Sequence, residues 1–466
     1  MFSGSRRFRL CIAIWVAAYA YAAGARSDVP DYQRVRVALP QYLIEKSVEA
    51  HTHAPLVEPI PDSEPSSLLD NPTLPRFPRF RSRFLRALVP SEGHRSWRLE
   101  LQTGARDIVF RSLRRCFSPS AGNEEEAWPA AVLRAAGQRV QVREGQNEIS
   151  LRFSAPLGPL PALLGGCMAY GPGPMQTGRF SERRPAQLEA LATQASGGPA
   201  LQRIVFQTQS AGADVFAGES RRVDKAVRYQ SHQNLLFLLR CDNYQGAGAW
   251  KLTEPEARDR FVHTLGPKTL LDAFAGGNGH EMKRLLPSTW TAHPTQPRSP
   301  RVHPVAPLRL SALGPRAPVV RIQVPLEDEL AWATAERIAV LMRSVGVRGA
   351  VLPNNMDGDN VHELALIRWY PASTDDALSL LALAGRQSDL SQAGYRAFLE
   401  DPRLLSPSPA QRREAAHALE KAWLQSGRLV PLMVSRPWIA IPPALKGIHV
   451  RSDGVPIFEQ AYWWRD

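Results

Sequence analysis

The repeated order of helix and strand in the C-terminal half constrains the fold of this chain more than any other feature. Apolar residues recur at helical spacing over 327–345, and Gly346 then supplies a stop. A short apolar strand follows at 350–352, and near the C-terminus a helix that begins at Ser408 leads into an apolar strand at 429–434. Helix followed by strand, twice, predicts an α/β lobe.

The start of the second helix has its own signature. Pro409 occupies the first helical position, and Gln411 stands three residues after Ser408, which is a capping-box pattern.

Elements in the first half of the chain are shorter: we predict strands at 97–101, 148–153 and 204–209 and a helix over 107–117. We predict loops through the Pro-rich stretches 54–90 and 286–318.

The N-terminus carries the parts of a secretory signal. Arg6, Arg7 and Arg9 precede an apolar run over 10–23, and small residues at 23–25 form a cleavage site. We therefore predict a cleavable signal peptide over 1–25 and a mature protein in the periplasm; an uncleaved anchor is the alternative. No later apolar run is long enough to span a bilayer, so no stable membrane insertion is expected.

Charge and cysteine content disfavour nucleic-acid binding, a zinc site and a redox motif. The net charge of +13 comes from arginines scattered along the chain rather than clustered, which does not favour nucleic-acid binding. The mature cysteines are Cys116, Cys167 and Cys241, an odd number that permits at most one disulfide. Their wide spacing supports neither a zinc site nor a redox motif.

Catalytic signatures are absent from the sequence. There is no G-x-S-x-G, H-E-x-x-H, P-loop or G-x-G-x-x-G motif, so we predict no enzyme activity, no cofactor and no metal. We interpret His51 and His53 as a solvent-facing pair and 276–279 as a plain turn. Asp375 and Asp376 could form a carboxylate pair, but adjacent residues normally point apart, which favours a helix N-cap instead.

One stretch, 332–381, resembles a known family. An amphipathic helix, the turn Gly346-Val347 and a strand lead to Trp369 and, further on, to Asp375. This order is similar to the second lobe of the bacterial family 5 solute-binding proteins, the oligopeptide-, dipeptide- and nickel-binding components of ABC importers. Weaker matching blocks keep the family's order over about 95–460, at 105–114, 177–180, 218–224, 257–287 and 409–448.

The resemblance implies an α/β fold with two lobes, mixed sheets flanked by helices and a cleft between the lobes. It implies a first lobe over 26–249, with a small subdomain at about 55–175, and a second lobe over 250–431. Residues 432–466 then return to the first lobe, and the chain crosses between lobes near 245–252 and 428–434.

The same resemblance implies the ligand-binding residues. We expect Trp369 and Tyr370 to offer apolar faces with polar edges, Arg368 to pair a carboxylate, and Asp375 or Asp376 to hold a ligand amine. A core position for Trp369 is the alternative. The chain departs from the family in two ways. Ala372 stands where peptide-binding members have an aspartate for the ligand's amino terminus, and about ten residues are missing after Gly104.

The implied function is that of an extracytoplasmic solute-binding protein, a monomer that closes on a peptide or other small solute and delivers it to an ABC permease. Two other functions stay open. A diverged envelope-associated protein could keep the fold without a transport ligand, as Ala372 suggests, and a secreted hydrolase could use the same cleft.

Overall fold

The structure is a computed structural model, and it describes residues 33–39, 41–59, 80–118, 128–170, 178, 180–191, 200–208, 212–218, 227–230, 234–240, 266, 279–282, 284–286, 319–324, 329–342, 348–353, 363–369, 371–373, 375–435, 438–450 and 455–464. The predicted signal peptide, Tyr370, Cys241, the crossing near 245–252 and most of both Pro-rich stretches lie outside these residues.

The described residues begin with a strand and a helix that precede a short strand pair. These elements are β1 (Arg34–Ala38), α1 (Gln41–Thr52), β2 (Glu58–Pro59) and β3 (Phe80–Arg81). The side chains of Val35 and Val37 are fully buried while Arg36 between them is exposed, because successive residues of a strand point to opposite faces.

Residues 80–170 form a small unit with its own antiparallel sheet. After β3 it contains β4 (Leu85–Ser91), a 3-10 turn (Glu92–His94), β5 (Ser96–Leu101), α2 (Arg106–Phe117), α3 (Trp128–Ala135), β6 (Val140–Glu144), β7 (Glu148–Phe153) and α4 (Leu160–Leu164). Its strands pair in the order β4-β5-β7-β6. Alternation buries Trp97 and Leu99 and exposes Arg98, as the sequence predicts for β5. A disulfide joins Cys116, in the last turn of α2, to Cys167.

Five further strands follow the small unit. They are β8 (Phe180–Arg184), β9 (Gln187–Ala190), β10 (Arg203–Gln207), β11 (Val215–Gly218) and β12 (Val227–Gln230). β1 pairs in parallel with both β10 and β11, and β9 pairs antiparallel with β10 and with β8. Strands separated by the whole small unit therefore meet in one sheet.

A second sheet, with helices around it, makes up the second lobe. Its elements are β13 (Asn234–Arg240), β14 (Gly279–Glu281), β15 (Val319–Val324), α5 (Glu329–Met342), β16 (Arg348–Pro353), β17 (Leu364–Trp369), α6 (Asp376–Arg386), 3-10 turns at Ser388–Leu390 and Ala393–Tyr395, α7 (Arg396–Leu399), a third such turn at Pro402–Leu405, α8 (Pro409–Gln425) and β18 (Leu429–Ser435). Among the described residues these strands pair in the order β14-β18-β13-β17-β15-β16.

The predicted elements of this lobe are confirmed, with one correction at α8. The helices over 327–345 and from Ser408, and the strands at 350–352 and 429–434, correspond to α5, α8, β16 and β18. Ser408 is the N-cap residue of α8, but its side chain makes no capping hydrogen bond. Instead, the Ser406 hydroxyl accepts a bond from the Ser408 N–H and donates one to Gln411 Oε1 at 2.5 Å. The capping-box prediction is therefore wrong, because the reciprocal partner of Gln411 lies two residues earlier.

The chain then returns to the first sheet. Its last elements are β19 (Trp438–Ile441), β20 (Leu445–Lys446), β21 (His449–Val450), β22 (Pro456–Ile457) and β23 (Tyr462–Trp463). β19 lies between β11 and β12, which gives the described part of the first sheet the order β12-β19-β11-β1-β10-β9-β8. We call this sheet, with α1 and residues 438–464, the first lobe.

His51 connects α1 to this returning segment. Its side chain is fully buried, its Nδ1 lies 2.6 Å from the Ser47 carbonyl oxygen, and its Nε2 accepts the Phe458 N–H at 3.0 Å. The prediction of a solvent-facing histidine pair is therefore wrong for His51. The outcome has a physical reason: the residue falls on the face of α1 that the distant C-terminal segment covers.

Three apolar clusters make up the core of the described residues. One belongs to the first lobe and includes Val37, Phe180 and Phe458. A second lies between α5 and the six-stranded sheet. The third is the largest, and it joins the small unit to α6, α8 and part of the six-stranded sheet.

Candidate functional site

The candidate site lies where the two large sheets meet. The chain passes from the first sheet to the second between Gln230 and Asn234, and back between Ser435 and Trp438. The register places these residues together: Gln230 pairs with Trp438, and Asn234 pairs with Ser435. Clefts between lobes are preferred ligand sites, so the strand ends at this junction define the candidate site.

This register differs from the predicted position of the first crossing. β13 falls within the sequence assigned to the first lobe, 26–249, yet it pairs with β17 and β18 of the second sheet. The first passage between the sheets therefore comes about fifteen residues before the predicted stretch 245–252. The assignment of whole lobes by residue number stays a prediction.

Trp369 is the last residue of β17 and lies at the junction. It pairs with Leu235, and its side chain is 7% exposed within the largest apolar cluster. Arg368 precedes it on the opposite face of the strand and is half-buried. The structure thus places Trp369 mainly in the core, with its backbone at the site.

The Asp375 carboxylate caps a helix and forms an ion pair within the protein. Its Oδ1 accepts the N–H groups of Ala377 and Leu378 at 3.1 and 3.2 Å, which caps α6. Its Oδ2 lies 2.8 Å from both the Nε and an Nη of Arg412, whose side chain is 5% exposed. The same guanidinium donates to the carbonyl oxygens of Ser406 and Pro407. The Asp375 carboxylate is therefore occupied by the α6 cap and Arg412.

Asp376 has a different environment from its neighbour. It is half-exposed in the first turn of α6, and its negative charge acts on His417 and Glu420 of α8. Burial nevertheless lowers the pKa of His417 below its ordinary value, since desolvation outweighs the attraction of Asp376. The two adjacent carboxylates do not share one site, as expected for neighbours in a helix N-terminus.

Glu420 is a buried carboxylate that the sequence analysis missed. It is 3% exposed, and its Oε1 accepts the N–H groups of Leu285 and Leu286 at 2.5 and 3.0 Å. Burial raises the pKa of Glu420, partly offset by the two backbone hydrogen bonds. Its spacing of four from Ala416, on the buried face of α8, is the signal that could have identified it.

Ala372 is partly exposed and packs against the largest cluster. It contributes no charge at the position where the family resemblance implies a carboxylate.

Within the described residues no group of three His, Cys, Asp or Glu side chains is arranged to hold a metal ion. None of the described helices is long and apolar enough to cross a membrane.

A second polar group lies where the small unit meets the first lobe. The Tyr170 hydroxyl donates to Glu49 at 2.8 Å, and the His53 ring lies 4.7 Å from the Tyr170 ring between centroids. The Arg115 guanidinium covers the same ring at 4.1 Å. Burial lowers the pKa of His53, and the charge of Arg115 adds to this effect while Glu49 opposes it. Burial and Arg115 therefore favour the neutral form of His53.

Comparisons with known proteins identify the fold. No family model matches the sequence, and no curated protein matches it significantly. Among solved structures, the chain is similar to a dipeptide-binding protein of Pseudoalteromonas sp. SM9913 in complex with Met-Leu, with 14% identity and a TM-score of 0.69 over 92% of this chain and 100% of that one. It is also similar to the periplasmic binding protein DppA of Helicobacter pylori in complex with the peptide STSA, with 13% identity and a TM-score of 0.69 over 93% and 98% of the two chains.

A third similar structure is NikA of Brucella suis in complex with Fe(III)-EDTA, with 13% identity and a TM-score of 0.66 over 92% of this chain and 99% of that one. These likenesses confirm the predicted fold class: the chain has the two-lobed α/β fold that these binding proteins share, and the likeness covers 92–93% of its length.

Proposed function

We propose that this protein is an extracytoplasmic solute-binding protein that closes on a peptide or peptide-like solute and delivers it to an ABC permease. The observation that carries the proposal is the double passage of the chain between the sheets at Gln230/Asn234 and Ser435/Trp438, in a fold shared with two peptide-complexed binding proteins. Two lobes joined in this way can close on a ligand without a catalytic residue.

The periplasmic location is part of the proposal. A disulfide between Cys116 and Cys167 suits an oxidising compartment, as does the predicted signal peptide. The protein would act as a monomer, with no cofactor, and meet its permease after closure.

The proposed ligand contacts follow from the geometry at the junction. Arg368 and Trp369 end β17 beside the passage between the sheets, Tyr370 follows them in the sequence, and Asp376 is the partly exposed carboxylate of the following helix. We assign Asp375 a positioning role, since its carboxylate holds the start of α6 through Arg412. The ligand would then contact the 368–372 segment directly.

Ligand binding can be tested with peptide pools. Native mass spectrometry of the protein as purified should reveal a bound solute, and short peptides should raise its melting temperature. If 368–372 lines the cleft, Ala372→Asp should strengthen binding of peptides with a free amino terminus but not of their N-acetylated forms. Lys421→Gln, on the exposed face of α8, is the control. No shift with any peptide, for the protein or the Ala372→Asp variant, would refute peptide binding.

A second function is favoured by one observation. Trp369 is nearly buried and Asp375 is already paired, so the side chains expected to bind ligand are partly used by the protein itself. This suits an envelope-associated protein that kept the fold without a transport ligand. Metal chelates should also be screened, since absence of every bound solute would favour this second function.

A further inference from the structure

Helix α2 of the small unit carries a row of exposed arginines. Arg111, Arg114 and Arg115 are spaced three and four residues apart, which places them on one face of the helix. None of these three guanidinium groups forms an ion pair in the part of the chain that the structure describes. We call these three residues the arginine row.

Several other exposed arginines of the small unit do have carboxylate partners. Arg98 pairs with Glu100 at 3.3 Å, and Arg106 pairs with Glu144 at 2.7 Å. The sequence of residues 80–170 contains thirteen arginines, no lysine and eight Asp or Glu residues. The unit therefore has more cations than its own carboxylates can neutralise, and α2 presents three of them together.

The helix itself accounts for only part of the arginine row. Arg114 and Arg115 lie in the last turn of α2, where the partial negative charge of the helix terminus favours cations. Arg111 lies before that turn and has both of them as like-charged neighbours. It also forms no ion pair with Asp107, one turn earlier. No described contact therefore offsets the charge of Arg111, and an external anion would do so.

Aromatic rings lie beneath two of the three guanidinium groups. The guanidinium carbon of Arg115 lies 4.1 Å from the centroid of the Tyr170 ring, and that of Arg114 lies 5.8 Å from the centroid of Phe110. A cation–π contact needs no oxygen acceptor, so N–H donors remain for a second partner. Phosphate suits such donors, because the planar guanidinium can donate two parallel hydrogen bonds to its oxygens.

We propose that the arginine row docks the protein on a membrane surface by binding the phosphate groups of anionic phospholipids. A protein partner is normally anchored by apolar or aromatic side chains at the centre of the interface. The exposed large apolar side chains of the described residues all lie outside the small unit. A headgroup layer needs no such anchor, since its negative surface potential attracts clustered arginines. Docking of this kind would keep the protein at the membrane that holds the proposed permease.

Vesicle sedimentation can test this docking surface. The mature protein, without the predicted signal peptide 1–25, would be mixed with vesicles of equal parts phosphatidylglycerol and phosphatidylcholine. Vesicles of phosphatidylcholine alone give the uncharged comparison. Removal of 1–25 matters because its apolar run would itself enter lipid.

Two double variants separate the arginine row from net charge. The test variant is Arg111→Gln/Arg114→Gln, which leaves Arg115 over its ring. The matched control is Arg98→Gln/Arg152→Gln, which removes the same charge from the same unit. Both control arginines are exposed but already pair with carboxylates, at 3.3 and 4.0 Å.

The protein should sediment with the anionic vesicles and not with phosphatidylcholine alone, and added salt should weaken this binding. The test variant should bind about twenty-five-fold more weakly, because each arginine at an anionic surface contributes about fivefold. The control should change by less than about threefold, since its arginines are already neutralised. Equal losses in the two variants would overturn the proposal, as would equal binding to both kinds of vesicle or binding to neither.

His53 provides a second readout at the arginine row itself. Burial is the main cause that lowers the pKa of His53, and the positive charge of Arg115 lowers it further. A phosphate bound at Arg115 offsets that charge. Dihexanoylphosphatidylglycerol, a soluble lipid with the same headgroup, should therefore raise the pKa of His53 measured by nuclear magnetic resonance and leave that of His417 in α8 unchanged.

An unchanged pKa of His53 at saturating lipid would overturn the assignment of docking to α2. Both measurements are made without peptide, so their failure would leave the proposed solute binding standing. Failure of every peptide to bind would in turn count against the proposed function alone.

Discussion

Replacing Gly385 by alanine should separate α3 from α6. A Gly-to-Ala change inside a helix ordinarily stabilises by about 1 kcal/mol, because alanine has the higher helix propensity. Here the new Cβ would lie 2.2 Å from the Ala131 carbonyl oxygen, while ordinary contact begins at 3.4 Å, so the backbones must separate by about 1.2 Å. Both atoms at the clash are close to backbone, so no side-chain rotation relieves it.

The magnitude follows from three contributions. Overpacking of this kind costs about 2 kcal/mol. Loss of the Arg134 hydrogen bond to the Gly385 carbonyl oxygen costs about 1 kcal/mol more. The gain in helix propensity offsets about 1 kcal/mol, which leaves an expected net loss of about 2 kcal/mol in the free energy of unfolding.

Urea unfolding followed by far-ultraviolet circular dichroism would measure the change. The matched control is Gly394→Ala, since a Cβ at that exposed position meets no atom within 4 Å, and its effect should stay within about 0.5 kcal/mol. If Gly385→Ala equals or exceeds the wild-type stability, the close approach of the two helices is absent from the protein.

Three further predictions concern groups held inside the protein. Reducing the disulfide, which closes a loop with a sequence separation of 51, should lower the unfolding free energy by about 4 kcal/mol in the loop-closure model; an unchanged urea midpoint would contradict the pairing. Arg412→Met should cost about 3 kcal/mol, because it leaves the Asp375 carboxylate without its cation, whereas Arg413→Met on the exposed face of α8 should be nearly neutral; equal losses would refute this. For Glu420, burial raises the pKa above the ordinary 4.5, so its favourable contribution is present at pH below 4.5 and is lost as the pH rises through the folded-state pKa. Glu420→Gln should therefore gain stability relative to the wild type from pH 4.5 upward, and a difference that does not vary with pH would contradict the burial argument.

The sequence predicts those elements whose pattern is local. α8 could be placed because Pro409 marks its start, the apolar spacing its buried face and Gly427 the chain just past its end. β5 could be placed because alternation alone puts Trp97 and Arg98 on opposite faces. The two-lobed fold followed from the order of blocks along the chain, and similarity to solved structures confirms it. These features can be predicted from local propensity and block order, because neither depends on which distant segments are in contact.

The candidate site depends on contacts between distant segments, and here the sequence was less informative. The pairing of Asp375 with Arg412 and the burial of His51 under Phe458 each involve residues far apart in the chain. The identity of the paired cysteines likewise depends on where α2 ends in space. Such contacts are set by packing, which a residue pattern on one helix does not encode.

The insertion of β19 between β11 and β12 affects the order in which the protein can fold. The first-lobe sheet lacks an interior strand until residues 438–441 are present, whereas the strands of the small unit are contiguous in sequence. When the chain emerges from its N-terminus, the strands within residues 80–170 can pair long before the sheet that contains β1 is complete. Local contacts form faster than contacts between distant segments. Until α6 and α8 are present, the apolar face of the small unit that they later cover stays exposed to solvent, where a chaperone can bind it. Pulsed hydrogen exchange should show β5 and β7 protected before β1 and β10, and the reverse order would contradict this sequence of events.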